Sequence, residues 1–209
     1  MLFPSLPSQP MDYFESLYRR RGYHQIAGVD EAGRGPLAGP VVAAAVILPP
    51  DGVGQRLFDS KQIPSKRRED LYQTIFSRAL GVGIGIIGQE EIDRLNILQA
   101  TLEAMAQAIH NLPVFPDFIL IDGLQGPRLS IPQKPIPKGD QLSNSIAAAS
   151  IVAKVTRDRM MAEFHQQYPQ YNFARHKGYG TEEHRQAIQT FGVCDLHRKT
   201  FRGVKEYLK

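Results

Sequence analysis

The apolar residues of this chain are grouped into short runs that have the length of strands. Four segments form this set: Ile26 to Val29, Val41 to Leu48, Gly81 to Gly88 and Phe118 to Ile121. Within Gly81 to Gly88, glycine alternates with valine and isoleucine, which is the period of a strand. The run from Phe118 to Ile121 is wholly apolar, which is typical of a central strand buried on both faces.

Longer segments around these runs carry apolar residues at helical spacing. In Asn96 to Leu112 the apolar residues recur every three or four positions, which indicates a helix with one buried face. Helices are also predicted over Met11 to Arg21, from about Ser65 (as N-cap) to Leu80, from Gln141 to about Gln167, and over Thr181 to Phe191. The segment from Pro127 to Pro137 is rich in proline and is predicted to be a loop.

The order of these elements predicts the class of fold. Strands come first and then alternate with helices, which favours an α/β domain with a mixed sheet flanked by helices. The chain has 209 residues, enough to bury one sizeable core, and it shows no internal repeat or low-complexity linker. We therefore expect a single domain.

Composition excludes several functional classes. The longest apolar run, Val41 to Leu48, is too short to cross a membrane, and the N-terminus lacks the basic and then apolar order of a signal peptide. The expected location is therefore cytoplasmic. Cys194 is the only cysteine, which excludes an intramolecular disulfide and a zinc site built from several thiolates.

The net charge is only +4, but the basic residues are clustered. We interpret Arg19 to Arg21 as a solvated face of the first helix. Four later clusters favour contact with a polyanionic partner, because they lie beside other candidate site residues. These clusters are Lys66 to Arg68, Arg157 to Arg159, Arg175 to Lys177 and His197 to Lys199.

Two adjacent acids, Asp30 and Glu31, precede a glycine-rich turn. We expect the turn to free both carboxylates from the alternation of a strand, so that they face one point and suit Mg²⁺ or Mn²⁺. In Gly33-Arg34-Gly35 the two glycines allow the main chain to approach a sugar or phosphate, and Arg34 adds a fork for phosphate. The alternative is an ordinary turn in which Arg34 pairs with Glu31 on the surface.

Two further carboxylates are placed to converge with this pair. Asp122 follows the buried strand, and ligands gather beyond the carboxyl ends of strands in α/β sheets. Asp140 lies at the start of the long predicted helix. The alternatives are an Asp-Gly turn for Asp122 and a helix N-cap for Asp140. Four carboxylates without a histidine or cysteine partner suggest two Mg²⁺ ions, which activate water and stabilise the leaving oxygen in phosphodiester cleavage.

The segment Gly83 to Gly88 matches the pattern G-x-G-x-x-G. Its glycines fall within the alternating strand and not in the turn after one, so close packing of the strand is the favoured interpretation. A dinucleotide site is the alternative.

The order and spacing of six motifs closely resemble the type 2 ribonucleases H, specifically bacterial ribonuclease HII. The resemblance covers nearly the whole chain. The motifs are Asp30-Glu31-Ala32-Gly33-Arg34-Gly35 with Gly39-Pro40, Asp59-Ser60-Lys61, Asp122-Gly123, Lys138-Gly139-Asp140, Ala147 to Asp158, and His176-Lys177-Gly178-Tyr179-Gly180.

This resemblance implies an RNase H-like mixed five-stranded sheet flanked by helices. It implies one catalytic domain over residues 1–209, with a core to about residue 168 and a small helical, substrate-binding extension from about residue 169 to residue 209. The implied activity is endonucleolytic cleavage of RNA in RNA–DNA hybrids and on the 5′ side of single ribonucleotides in duplex DNA, leaving 5′-phosphate and 3′-hydroxyl ends. The implied cofactors are two Mn²⁺ or Mg²⁺ ions, the implied assembly is a monomer that binds no membrane, and the implied acidic tetrad is Asp30, Glu31, Asp122 and Asp140.

The resemblance also assigns substrate-binding residues. Gly33-Arg34-Gly35 resembles the turn that reads the ribose 2′-hydroxyl, and Tyr179 resembles a tyrosine that packs at the junction between ribonucleotide and deoxyribonucleotide. For Tyr179 the alternative is a packing role, and for Lys154 it is an ion pair with a site carboxylate. Phosphates on either side of the cut are assigned to Lys61, Lys154, Thr156 and Arg157, with Ser143 and Asn144 joining them at the start of the long helix.

Three other classes of protein fit this sequence less well. A type 3 ribonuclease H needs an additional N-terminal domain, and only about two dozen residues precede Ile26. A non-enzymatic nucleic-acid binder has no need for four carboxylates, which repel phosphate in the absence of metal. A junction resolvase or integrase-type nuclease lacks a reason for the ribose-reading turn.

Overall fold

The computed structural model of the protein describes residues 10–54, 57 and 64–208. Within these residues five strands form one sheet: β1 (Ile26–Ala32), β2 (Val41–Ile47), β3 (Gly81–Ile87), β4 (Phe118–Asp122) and β5 (Gln133–Ile136). Their order across the sheet is β3-β2-β1-β4-β5. Strand β2 is antiparallel to β1 and β3, whereas β4 is parallel to both β1 and β5. The mixed five-stranded sheet is confirmed.

Helices cover both faces of the sheet. They are α1 (Tyr13–Arg19), α2 (Ser65–Arg78), α3 (Gln89–Leu95), α4 (Ile97–His110), α5 (Asn144–Gln167), α6 (Phe173–His176) and α7 (Glu182–Phe191), with short 3-10 helices at Gly139–Gln141, Pro169–Tyr171 and Lys205–Tyr207. Helix α4 packs on one face of the sheet, and α2 and α5 pack on the other. None of the helices in the described ranges is both long and apolar enough to cross a lipid bilayer.

Helix α5 lies unusually close to strand β1 because the residues between them are small. The alanines at positions 147, 148, 149 and 153 are fully buried. A Cβ atom at Gly28 would overlap the main chain of Ser145 and Ile146. This close approach brings the side chain of Ser150, on α5, to Asp30, on β1.

The glycines of β3 serve the same purpose on the opposite face. Cβ atoms at Gly83 and Gly85 would overlap the carbonyl oxygens of Ala108 and Ala104 in α4. Gly88 is the N-cap of α3. The packing interpretation of this glycine-rich segment is therefore confirmed, and the dinucleotide alternative is wrong, because Gly83 and Gly85 lie inside a strand covered by a helix.

The acidic pair lies within a strand and not in the turn after it. Strand β1 continues through Asp30 and Glu31, which pair with Ala44 and Ala43 of β2. Successive residues of a strand leave it on alternate sides, so the expected release of both acids from alternation was wrong. Asp30 lies on the same side of β1 as Gly28, which is the side that α5 covers.

Other differences from the sequence prediction have local causes. Strand β5 lies inside the segment that was predicted to be a loop, and its Pro135 is tolerated because β5 is an edge strand. Helix α5 begins at Asn144, later than predicted, and its N-cap is Ser143. At the start of α2 the N-cap position is taken by Pro64, so Ser65 is the first helical residue.

Candidate active site

Asp30 is a buried carboxylate with two hydrogen-bond donors around it. Its side chain is held by the Ser150 hydroxyl and, at 2.7 Å, by the amide of Glu31. Burial raises the pKa of Asp30 well above its usual range, and the negative charges of Glu31 and Asp122 raise it further. The structure thus brings Glu31 and Asp122 close enough to Asp30 for their charges to repel its carboxylate.

Asp122 ends strand β4, which neighbours β1 in the sheet. Its Oδ1 accepts a hydrogen bond of 2.6 Å from the amide of Gly139, and this bond ties the end of β4 to the short helix that carries Asp140. The Asp140 side chain is buried. Because Ser143 is the N-cap of α5, the alternative of an N-cap role for Asp140 is wrong.

A pocket of about 270 Å³ opens beside the acidic strand end. Arg34 Nη1 lies 3.3 Å from Glu31 Oε1 at this pocket, as in the surface pair considered as an alternative. Tyr179 is 45% exposed, so it is accessible to a ligand and is not a core residue. Residues that are far apart in the sequence meet here: Glu31, Ala32, Gly33, Arg34, Gly35, Ser150, Lys154 and Tyr179.

Arg157 does not reach the surface on which a phosphate contact was expected. It is 1% exposed, and it donates hydrogen bonds to the carbonyl oxygens of Pro40 (2.9 Å), Lys177 (3.0 Å) and Ala38 (3.1 Å). The predicted phosphate contact is therefore wrong for Arg157. Its guanidinium instead joins α5 to the segment that follows the glycine-rich turn.

Three other predicted phosphate ligands are also placed away from the pocket. Ser143 is buried, and its hydroxyl donates to Glu15 Oε1 at 2.7 Å while it caps α5. Asn144 lies in a separate small cavity against α1, with Glu15 and Arg19. The hydroxyl of Thr156 is buried and has no hydrogen-bond partner in the described part of the chain. Ser143 and Thr156 are therefore corrected to structural positions.

Of the two lysines predicted to bind phosphate, only Lys154 lies within the described residues. Lys154 lines the pocket, and its Nζ lies 2.7 Å from Asp158 Oδ1, one turn along the same helix. Lys154 therefore forms an ion pair, as the alternative predicts, but its partner is Asp158 and not one of the four site carboxylates. The predicted ligand Lys61, in the motif Asp59-Ser60-Lys61, lies outside the described residues.

Sequence reasoning missed the role of Arg198. This residue is fully buried, and it donates to the carbonyl oxygens of Gly33 (2.5 Å), Arg34 (2.9 Å) and Gly39 (3.0 Å). Burial, together with the nearby positive charge of Arg157, lowers the pKa of Arg198 to about 9. The only signal in the sequence was its membership of the basic cluster His197 to Lys199.

Two buried histidines, His176 and His184, support the main chain of Tyr179, and their role was also missed. His176 Nε2 lies 2.6 Å from the carbonyl oxygen of Tyr171, and its Nδ1 accepts from the amide of Gly178. His184 Nδ1 lies 3.0 Å from the carbonyl oxygen of Tyr179. The rings of His176 and His184 are stacked with centroids 4.5 Å apart. These contacts fix the main chain that presents Tyr179 to the pocket.

The donor set of this site suits a hard divalent cation, because Asp30, Glu31, Asp122 and Asp140 all offer carboxylate oxygens. Within the described ranges, no three His, Cys, Asp or Glu side chains already surround one metal position. Glu31 faces Arg34, and Asp122 holds the Gly139 amide. A cation that draws these carboxylates inward would relieve the repulsion at Asp30, so the residues fit a metal ion in chemistry and need side-chain rotation to bind it.

Solved structures share this fold. The ribonuclease H2 from Pyrococcus horikoshii OT3 aligns with a TM-score of 0.73 at 24% identity, and the alignment covers 88% of this chain and 97% of that one. A structure of Bst-RNase HIII in complex with Mn²⁺ aligns with a TM-score of 0.65 at 18% identity, covering 88% of this chain and 68% of that one. The fold is therefore RNase H-like.

The sequence comparisons are more specific. A family model described as Ribonuclease HII matches residues 27–204. A ribonuclease HII of Geobacter metallireducens is 56% identical over 207 residues, which cover 99% of this chain and 97% of the relative. One of Syntrophus aciditrophicus is 57% identical over 192 residues, which cover 92% and 91%. The chain belongs to the ribonuclease HII family, whose members are metal-dependent hydrolases that cleave the RNA strand of RNA–DNA hybrids.

Proposed function

We propose that this ribonuclease H also incises duplex DNA on the 5′ side of a single embedded ribonucleotide, the first cut in removing ribonucleotides from DNA. The observation that carries the proposal is the pocket in which the turn Gly33-Arg34-Gly35 and Tyr179 lie beside Glu31. A 2′-hydroxyl both donates and accepts hydrogen bonds, so the main chain of a glycine turn detects it whatever the base.

Two further features support the proposal that this pocket recognises the ribose 2′-hydroxyl. The amides of Gly33, Arg34 and Gly35 donate no hydrogen bond to any partner among the described residues, so they are available to a ligand. The exposed ring of Tyr179 offers a stacking face to a sugar at the junction. Lys154, on the pocket wall, holds a phosphate and fixes the register of the duplex without reading its sequence.

The proposed catalytic residues are the four carboxylates Asp30, Glu31, Asp122 and Asp140, which hold two divalent ions, Mn²⁺ or Mg²⁺. When bound, these ions activate the attacking water and stabilise the leaving oxygen. The protein itself orients the carboxylates, through the Ser150 hydroxyl on Asp30 and the Gly139 amide on Asp122. Breaking the bond between phosphorus and the 3′ oxygen leaves 5′-phosphate and 3′-hydroxyl ends.

The chain is proposed to act as a monomeric catalytic domain. Tyr179 belongs to the extension from about residue 169 to 209, and it meets Glu31 and the glycine-rich turn at the pocket, so a single chain supplies residues from both parts of this site. Lys61 remains a proposed phosphate ligand. The proposed location is cytoplasmic.

The test is incision of a labelled DNA duplex that carries one ribonucleotide, with Mg²⁺, Mn²⁺ or EDTA, beside an all-DNA duplex. We expect metal-dependent cutting on the 5′ side of the ribonucleotide and none of the all-DNA control. Asp30→Asn should abolish the cut, whereas Glu103→Gln, which neutralises an exposed acid outside the pocket, should leave it intact. If the protein cleaves long hybrids but not this duplex, the proposed metal site is retained, and the proposed roles of the turn and Tyr179 in recognising a single ribonucleotide are wrong.

A further inference from the structure

Two positively charged side chains are buried behind the glycine-rich turn, although buried positions are usually occupied by uncharged side chains. Arg157 is 1% exposed and Arg198 is fully enclosed. Together they donate six hydrogen bonds, all to main-chain carbonyl oxygens, and no salt bridge to either guanidinium is found within the described ranges. Burial of an ion that has no directly bound counterion costs several kcal/mol, and the charges of Asp158 and Asp93 offset only part of this cost from a distance, so the arrangement needs a structural reason.

The reason lies in the shape of the guanidinium group. Arg198 contacts Gly33 and Arg34 at the start of the turn and Gly39 near its end, so one planar group spans both sides of the loop. A guanidinium presents five donors in a fixed fork, whereas an ammonium group is a compact point charge. Only an arginine can hold these three carbonyl oxygens in one fixed geometry.

The same contacts divide the turn into two sides. The carbonyl oxygens of Gly33 and Arg34 are directed inward to Arg198. The amides of Gly33, Arg34 and Gly35 have no acceptor among the described residues, and all three residues line the pocket. Arg198 therefore takes up the acceptors of the turn and leaves its donors to a ligand.

The surrounding main chain places Arg198 at this position. The amide of Gly39 donates to Leu196, and the amide of Arg198 donates to Leu37, at 2.8 and 2.9 Å. Ala38 and His197 form an isolated β-bridge between these bonds. The segment around Arg198 thus pairs with the turn like a short strand.

We propose that Arg198 is a positioning residue for ribonucleotide recognition: its guanidinium holds the Gly33–Gly35 turn with its amides directed at the ribose 2′-hydroxyl. This inference rests on the proposed function. It assigns to a buried residue of the C-terminal extension a share in substrate discrimination that does not involve contact with the substrate.

The test compares Arg198→Lys with the unaltered residue in an Asp30→Asn background, in which the substrate stays intact. Affinity is measured for a duplex with one ribonucleotide and for the same duplex in all-DNA form, and thermal unfolding is recorded for each variant. Arg94→Lys is the matched control, because Arg94 forms an exposed ion pair with Glu91 far from the turn in sequence.

We expect Arg198→Lys to lower the preference for the ribonucleotide duplex about tenfold, equivalent to about 1.4 kcal/mol, with the affinity for all-DNA duplex nearly unchanged. A role in stability alone would weaken both affinities together and leave their ratio unchanged. A folded Arg198→Lys variant that keeps the full preference would overturn the inference. If the Asp30→Asn protein with Arg198 shows no preference, and the protein with both Asp30 and Arg198 does not incise the ribonucleotide duplex, the proposed function fails instead.

A second measurement needs no variant and decides the matter if Arg198→Lys does not fold. Hydrogen exchange of the Arg198 Nε–H is followed by NMR in the presence of each duplex, in EDTA so that the substrate stays intact. Binding of a 2′-hydroxyl to the amides of the turn should stabilise the hydrogen bonds between Arg198 and the turn. Exchange of the Arg198 Nε–H should therefore be slower with the ribonucleotide duplex than with the all-DNA duplex. Equal exchange rates with both duplexes would contradict the coupling between Arg198 and the ribose.

Discussion

The Nε2 atoms of His184 and His197 lie 3.1 Å apart in the interior of the C-terminal region. His184 Nδ1 faces the carbonyl oxygen of Tyr179 and must carry a proton, so its Nε2 accepts from His197. The Nδ1 of His197 in turn accepts from the Cys194 amide at 3.0 Å. Both rings are therefore neutral, and burial lowers the pKa of each to about 4.

This pair should make the stability of the protein sensitive to mild acid. The unfolded chain protonates each histidine near its ordinary pKa of about 6.5, whereas the folded chain resists protonation until about pH 4. The stability contributed by neutral His184 and His197 is complete above the ordinary pKa and is lost as pH falls towards the folded value. The expected slope is about 1.4 kcal/mol per pH unit for each histidine.

Urea denaturation at about pH 7 and about pH 5 in EDTA measures this slope. Asp30 responds in the opposite direction, because its raised pKa favours the protonated form. The series is therefore best run on Asp30→Asn, which removes that opposing contribution. A free energy of unfolding that does not change over this interval would contradict the assignment of the histidines as buried and neutral.

Asp30→Asn should make the metal-free protein more stable while it abolishes cleavage. The raised pKa of Asp30 means that its ionised form is disfavoured in the folded state, so metal-free stability falls as pH rises through that pKa. Removing the charge should stabilise the folded state by about 1 kcal/mol near neutral pH, a common trade between stability and activity at functional sites.

Thermal unfolding in EDTA, with Glu103→Gln as the exposed control, measures this gain. Adding Mn²⁺ should raise the unfolding temperature of the unaltered protein and have little effect on Asp30→Asn. An Asp30→Asn variant that unfolds at a lower temperature than the parent in EDTA would show that repulsion among the carboxylates is not the dominant effect.

Tyr179→Ala should impair incision at a lone ribonucleotide more than cleavage of a long hybrid. A long hybrid offers many registers, whereas a lone ribonucleotide offers one junction that must be recognised. Loss of one stacking contact is worth about 1–3 kcal/mol, or roughly a 5- to 150-fold loss in kcat/KM on the single-ribonucleotide substrate. Tyr179→Phe, which keeps the ring, should retain most of the activity. Equal losses on both substrates would indicate that Tyr179 is structural.

Gly33→Ala should destabilise the protein more than Gly22→Ala, although both glycines have positive φ angles, +99° and +93°. A Cβ at Gly22 meets no atom within 4 Å, so that variant reports the backbone penalty alone, about 1 kcal/mol. A Cβ at Gly33 would lie 2.5 Å from Cδ of Arg157 and closer still to Nε, so the buried guanidinium must move. Urea denaturation of the two variants separates the backbone penalty from the penalty of displacing Arg157. Equal losses in the free energy of unfolding would mean that Arg157 can move without destabilising the protein.

Much of the fold was readable from local patterns. Strand β4 was predicted to within one residue, because a wholly apolar run has no stable position except the centre of a sheet. Strand β5 could not be predicted, because Gln133–Ile136 has no strand periodicity and becomes a strand only by pairing with β4. Helix α3 was missed because seven residues are too few to show a helical period.

The pocket was predicted better than the residues that support it. Gly33-Arg34-Gly35 and Tyr179 were recognisable because they resemble family motifs, and the structure brings them together. Arg157 was misassigned because a sequence displays the charge of an arginine and not its burial. Whether a guanidinium faces solvent or a set of carbonyl oxygens is decided by the packing of distant segments, here those of Pro40, Lys177 and Ala38.

The bond from Arg198 to the carbonyl oxygen of Gly33 joins residues 165 positions apart in the chain. A ribosome adds about 5–20 residues per second, so roughly 10 to 30 s separate the synthesis of the turn from the synthesis of its partner. During that interval the nascent chain already carries Asp30 and Glu31 but lacks the guanidinium that we propose to hold the turn. The proposed recognition of the ribose therefore depends on two segments that meet only after nearly the whole chain has been synthesised.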